Sequence, residues 1–180
     1  MTDRDILGAA ERAKQEFGAK CKKFSGTITV ELIRHALQEA GAAVSARDVF
    51  IRGIPIEIDL IIPKKNAVPL HGLVYDPSDV LAAVEVKHHG SVGSKAIERL
   101  RANFAMVKQA NPRIRCCYLT LIERETYKWR VTSENCGEEA YTMFWYRTLH
   151  KRTDYDSTGD WDRFVNSVKE AGGDCRRCQG

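Results

Sequence analysis

No stretch of this 180-residue chain stays apolar for anything near the ~20 residues that a membrane-spanning helix needs. The start, Met1-Thr2-Asp3-Arg4-Asp5, is charged and lacks the apolar core of a secretory signal. Both absences lead to the expectation of a cytoplasmic protein with no membrane partner, in which the six cysteines are mostly reduced thiols. Internal repeats, low-complexity tracts and linkers are missing too, so residues 1–180 read as one domain, long enough to bury its own core. There is no Gly-rich phosphate loop and no nucleophile elbow, which removes the positive signals for a small-molecule α/β enzyme. Charge of one sign is barely in excess: 28 basic against 24 acidic residues leave +4, a bias compatible with a nucleic-acid partner. Only one C-x-x-C is present, Cys175 to Cys178, with Cys136 and His150 as the sole distant candidates to complete a zinc site. Without a second pair, the tail reads as a frayed basic terminus.

What is present centres on residues 54–88. Ile56-Glu57-Ile58-Asp59-Leu60-Ile61-Ile62 and Val84-Glu85-Val86-Lys87-His88 read as strands from their density of Val and Ile and their period of two. In the first, Ile56, Ile58, Leu60 and Ile62 are expected on one face, with Glu57 and Asp59 on the other. In the second, Val84 and Val86 oppose Glu85 and Lys87. Paired with their aliphatic faces buried, the two strands bring Asp59, Glu85 and Lys87 onto one small surface. Two carboxylates and an ammonium crowded together are costly unless something binds there. A divalent cation held by oxygen ligands removes the conflict, and this donor type suits Mg²⁺ or Mn²⁺.

An acid on one strand and Glu-x-Lys on the next, here Asp59 with Glu85-Val86-Lys87, resembles the PD-(D/E)XK nuclease superfamily, which includes restriction endonucleases, Holliday-junction resolvases and repair nucleases. The likeness covers residues 27–122. It departs from the pattern in two places: Ile58 stands where the motif-naming proline would be, and Pro63 to Ser78 is an extended loop between the strands. The resemblance implies an α/β fold, a central mixed sheet flanked by helices in the restriction endonuclease-like arrangement. It implies a metal-dependent endonuclease hydrolysing DNA phosphodiesters, with Asp59, Glu85 and the Val86 carbonyl as metal ligands. It further implies a glutamate from the helix before the core strands, where Glu31 fits better than Glu39. A solvated Glu31 paired with Arg34 or His35 is the competing account. Lys87 is expected to orient the attacking water or to stabilise developing negative charge. Many relatives act as dimers, so a homodimer is expected. The rival reading keeps the fold and drops catalysis, leaving a nucleic-acid-binding or assembly module.

The remaining chain supplies the frame. Residues 4–18 and 27–40 have helical spacing, the second with Ile28, Leu32, Ile33, Ala36, Leu37 and Ala40 as its apolar stripe and Gly41 as its stop. Between them, Cys21 to Gly26 reads as a basic turn. Asp48 to Arg52 is expected as a first strand in hairpin contact with the Asp59 strand. Lys64 and Lys65, on the loop with His71 and Tyr75, and Lys95, at the start of a helix over 94–110, are candidate DNA contacts. Of His88 and His89, alternation lets at most one reach the cleft. Residues 114–122 read as a central strand parallel to the Glu85 strand through a βαβ crossover, with Cys116 and Cys117 as buried, inert thiols. The C-terminal 123–180 reads as a helical and irregular extension. In it, 140–149 is open between strand and helix, 151–157 is a polar loop, and 160–171 is a helix turning Trp161, Phe164, Val165 and Val168 inward.

Overall fold

The computed structural model describes residues 1–17, 22–90, 93–128, 130–149 and 152–173. The C-x-x-C tail and His150 lie outside them. Two helices, α1 (Asp3–Phe17) and α2 (Lys22–Glu39), lead into β1 (Val49–Ile51), β2 (Glu57–Ile58), β3 (Leu60–Pro63) and β4 (Val74–Tyr75). After a short 3₁₀ turn come β5 (Val80–His89), α3 (Ser94–Ala110), β6 (Arg115–Glu123), the one-turn α4 (Ser133–Cys136), β7 (Glu139–Leu149), β8 (Arg152–Ser157) and α5 (Asp160–Gly173).

The main sheet has the order β3-β5-β6-β7-β8. Its centre, β5 to β7, is parallel, and the edge strands β3 and β8 run antiparallel to their neighbours. Nearly every residue of β6 is buried, as a central strand covered on both faces requires, and this explains its unbroken apolar run. One face carries Leu60, Val84, Val86, Cys117 and Leu119 against α1, α2 and α5. The opposite face carries Ile61, Ala83, Cys116 and Tyr118 against α3, α4 and a second, three-stranded sheet, β2-β1-β4. Helix α3 fits its side through Ile97, Leu100, Phe104 and Val107, spaced three and four residues apart. Among the described residues no helix is long and apolar enough to cross a membrane.

Several expectations needed correction. The continuous strand over 56–62 divides at Asp59: residues 57–58 pair with β1 in the small sheet, and residues 60–63 pair with β5 in the large one. The apolar alternation therefore changes sides, since Ile56 and Ile58 pack in the α3 layer while Leu60 and Ile62 pack under α1, α2 and α5. Helix α2 begins at Lys22, so the basic turn over 21–26 is largely its first turn. Its buried side is Thr29, Val30, Ile33, Ala36 and Leu37. The loop over 63–78 contains β4, parallel to β1. Residues 139–149 are a strand, and the polar segment read as a loop is β8, so the C-terminal third completes the main sheet. A polar, charged sequence is what an exposed edge strand tolerates best.

Candidate active site

Geometry here starts with register. Leu60 pairs with Val84 in the antiparallel β3–β5 ladder, and continuing that ladder by one residue places Asp59 across from Glu85. Because the chain leaves the main sheet at this residue, Asp59 ends the strand with its side chain on the layer of Ile61, Ala83, Glu85 and Lys87. The Asp59 carboxylate accepts the Val86 N–H at 2.7 Å, which ties it across the ladder.

Three oxygens then meet one cation. The Lys87 ammonium donates to the Glu85 carboxylate and, at 3.2 Å, to the Val86 carbonyl. It stands 3.6 Å from Asp59 Oδ2. Burial, with the negative charge of Glu85 behind it, pushes Asp59 up to about 6, although Lys87 and the Val86 N–H pull the other way. Burial opposes the Lys87 charge, yet Glu85 and Asp59 outweigh it and hold the ammonium above its ordinary value. A single ammonium thus leaves Asp59 poorly compensated.

The oxygens predicted to bind a metal are those around the ammonium: Asp59, Glu85 and the Val86 carbonyl. Two carboxylates and a carbonyl are hard donors of the kind that Mg²⁺ accepts alongside several waters. On that ground the residues fit Mg²⁺ or Mn²⁺. Among the described residues no three His, Cys, Asp or Glu side chains converge as a ready-made cage. Glu31 is not brought in: its carboxylate accepts from Arg34 Nε at 3.1 Å and lies 3.6 Å from His35 Nε2. The Arg34 hydrogen bond holds it below the usual carboxylate range.

Candidate DNA-binding lysines separate. Lys95 is exposed in the first turn of α3, the helix that follows the carboxyl end of β5. Lys64 and Lys65 are exposed as well, but Lys64 donates its N–H to the Asp79 carbonyl at 2.8 Å. That places the pair near the start of β5, about 25 Å from Lys87 at ~3.3 Å per residue.

On the other side of β5, His88 is buried and shares a 2.7 Å hydrogen bond between Nδ1 and the Thr29 hydroxyl. Burial, with His89 and Lys14 nearby, pushes it down to about 4. It therefore belongs to the helix layer and is neutral. Cys116 and Cys117 are buried free thiols, raised by burial, Cys116 to about 12, in agreement with inert packing. Sequence reasoning passed over Asp48, whose N–H donates to the Asp59 carbonyl at 3.2 Å and whose charge adds to the rise at Asp59. The β1–β2 pairing of Val49 with Ile58 is the signal that locates it, one step further along the hairpin. Asp48 sits at φ 57, a left-handed conformation that aspartate tolerates better than most residues.

No family model matches the chain, and no curated protein matches it. Solved structures do. The NucC structure of P. aeruginosa ATCC27853, in its cAAA-bound form, superposes with a TM-score of 0.61 at 13% identity, over 94% of this chain and 88% of that one. NucC of E. coli MS115-1, also cAAA-bound, gives 0.65 at 12% identity over the same shares, 94% and 88%. The chain has the restriction endonuclease-like fold that it shares with these two structures.

Proposed function

We propose that the protein is a metal-dependent endonuclease that hydrolyses phosphodiester bonds in DNA. The observation that carries the reading is the meeting of Asp59, Glu85 and the Val86 carbonyl on one cation, the Lys87 ammonium. The fold shared with NucC supports it. In this reading Asp59, Glu85 and the Val86 carbonyl would hold Mg²⁺ or Mn²⁺, and Lys87 would face the reacting phosphate. When bound, the ion supplies Lewis acidity and lowers the pKa of a coordinated water. The protein's own groups do the rest. Asp59 and Glu85 remain ionised as ligands, and Asp59 stays fixed by the Val86 N–H. Lys87 orients the attacking water and offsets charge on the phosphate oxygens as it develops. Glu31 joins the ligand set only by exchanging its contact with Arg34 for the metal.

Lys95 is the phosphate contact nearest the site along the chain. A duplex touching Lys64 and Lys65 as well would extend about 7 base pairs from the acids, at ~3.4 Å per pair. A homodimer, giving two sites for two strands, and a cytoplasmic setting belong to the same reading.

The test is cleavage of supercoiled plasmid and of single-stranded DNA with Mg²⁺ or Mn²⁺, beside Asp59→Ala and Lys87→Ala. Because both NucC structures are cAAA-bound forms, the assay is run with and without cAAA. The native protein is expected to cut, and both variants to lose about 100-fold or more in rate. Cutting by all three proteins would place the activity elsewhere. Absence of cutting together with absence of Mn²⁺ uptake would favour a catalytically inactive nucleic-acid-binding or assembly module on the same fold.

A further inference from the structure

Strand β6 lies beside β5 in parallel, and its register sets Tyr118 opposite Glu85. Paired residues of neighbouring strands point to the same side of a sheet, so the phenol lies on the face of Glu85 and Lys87. Tyr118 is 2% exposed. It belongs to the buried cluster that includes Ile61, Ala83 and Cys116, but its hydroxyl has no hydrogen-bond partner. The Thr120 side chain is close enough to act on that hydroxyl but makes no hydrogen bond of acceptable geometry with it. Buried polar groups are nearly always paired, and an unpaired one calls for a reason.

Phenylalanine would fill the same space without stranding an oxygen. The cost of the hydroxyl is therefore not explained by packing. Burial, eased in part by Thr120 and reinforced by the charges of Glu123 and Glu85, keeps the phenol protonated. A protonated phenol beside carboxylates can offer them its O–H. Glu85 is engaged by Lys87, and the hydroxyl is left over.

We infer that Tyr118 is a positioning residue for Glu85, donating its O–H to the Glu85 carboxylate when that carboxylate binds a divalent cation. Such an outer contact fixes the orientation of a metal-ligating carboxylate, and losing one of this kind typically costs 10- to 100-fold in metal affinity. The inference rests on the proposed metal site and adds a residue to it from a different strand.

Tyr118→Phe separates this role from a structural one, because the two accounts predict opposite results. Unfolding of the metal-free protein is measured first, followed by Mn²⁺ titration by calorimetry for the native protein, Tyr118→Phe and Asp59→Ala. The expected outcome is an unfolding midpoint for Tyr118→Phe equal to or above the native one, with Mn²⁺ affinity about 10-fold weaker. Equal Mn²⁺ affinity in Tyr118→Phe and native protein, with Asp59→Ala binding none, would overturn the role of Tyr118 and leave the site standing. Absence of Mn²⁺ uptake by the native protein would overturn both.

Discussion

Two charged clusters occupy opposite ends of the parallel strands, and they are built differently. At the amino ends of β6 and β7, Arg115 grips Glu139 with two parallel hydrogen bonds of 2.8 Å. The same guanidinium reaches the Ser167 carbonyl at 2.8 Å and the Ser167 hydroxyl at 2.6 Å. Tyr141 donates to Glu139 as well. Burial would raise Glu139, but Tyr141 and Arg115 prevail and hold it below the usual range. Toward the carboxyl end of β5, two acids share one ammonium, and Asp59 rises to about 6. The first cluster has a donor for each oxygen and joins β6, β7 and α5. The second is short of positive charge. A carboxylate held down by a full set of donors is a structural joint, whereas one pushed up beside a second acid is poised for another cation.

Arg115→Ala should break the first cluster at a cost of about 1.5–3 kcal/mol, the range for hydrogen bonds to a charged group. Urea unfolding checks it, and Mn²⁺ uptake at Asp59 and Glu85 should be unchanged. A stability loss matched by lost metal uptake would mean that the two ends are not independent.

The pH dependence should differ in sign between the clusters. Asp59 has a folded value of about 6, against 3.8 as its ordinary value. The folded state therefore holds an extra proton between these values. Its contribution to stability is fully present below pH ~4 and is lost as pH rises toward 6. Glu139, held down, contributes above its ordinary 4.5 and loses that contribution as pH falls. His88, at about 4 against 6.5, also loses its contribution as pH falls through that window, so it opposes Asp59 in the native curve. Comparison with Asp59→Asn isolates the term: from pH 4 to 6 the native protein should lose stability relative to the variant. Parallel curves would show that Asp59 titrates at its ordinary value. With Mn²⁺ the difference should shift, because bound metal favours the ionised carboxylate.

Smallest of all should be the effect of Glu31→Gln. Its carboxylate is occupied by Arg34 and His35, so Mn²⁺ affinity should fall by no more than about twofold, the scale of a surface helical pair. A loss approaching that of Asp59→Ala would show that Glu31 leaves Arg34 to complete the metal site.

Much of the site was legible because it depends on local alternation. Glu85 and Lys87 lie two residues apart on a strand whose Val84 and Val86 demand burial, so their shared face followed from the order of residues. The βαβ unit was legible too, since an apolar stripe at helical spacing separated two β-rich runs. Other features depended on distant partners. The change of sheet at Asp59 puts Ile58 and Leu60 in different layers, although they alternate as if on one face. Strand β8 is polar because it lies at an edge, a position that local composition cannot report. Glu31 stood beside its apolar stripe with claims from Arg34 or His35 and from the proposed metal site, and the helix geometry brought Arg34 and His35 to it.

By itself the sequence determined the acid–acid–lysine set and the face that Glu85 and Lys87 share, because a strand's period of two is built into each residue's backbone. Only the tertiary structure decided that Asp59 stands across from Glu85, that Tyr118 lies next to Glu85 with its hydroxyl unpaired, and that Lys64 and Lys65 lie at the far end of β5. Those relations depend on which strands pair and in what register, a choice made by packing both faces of the sheet at once.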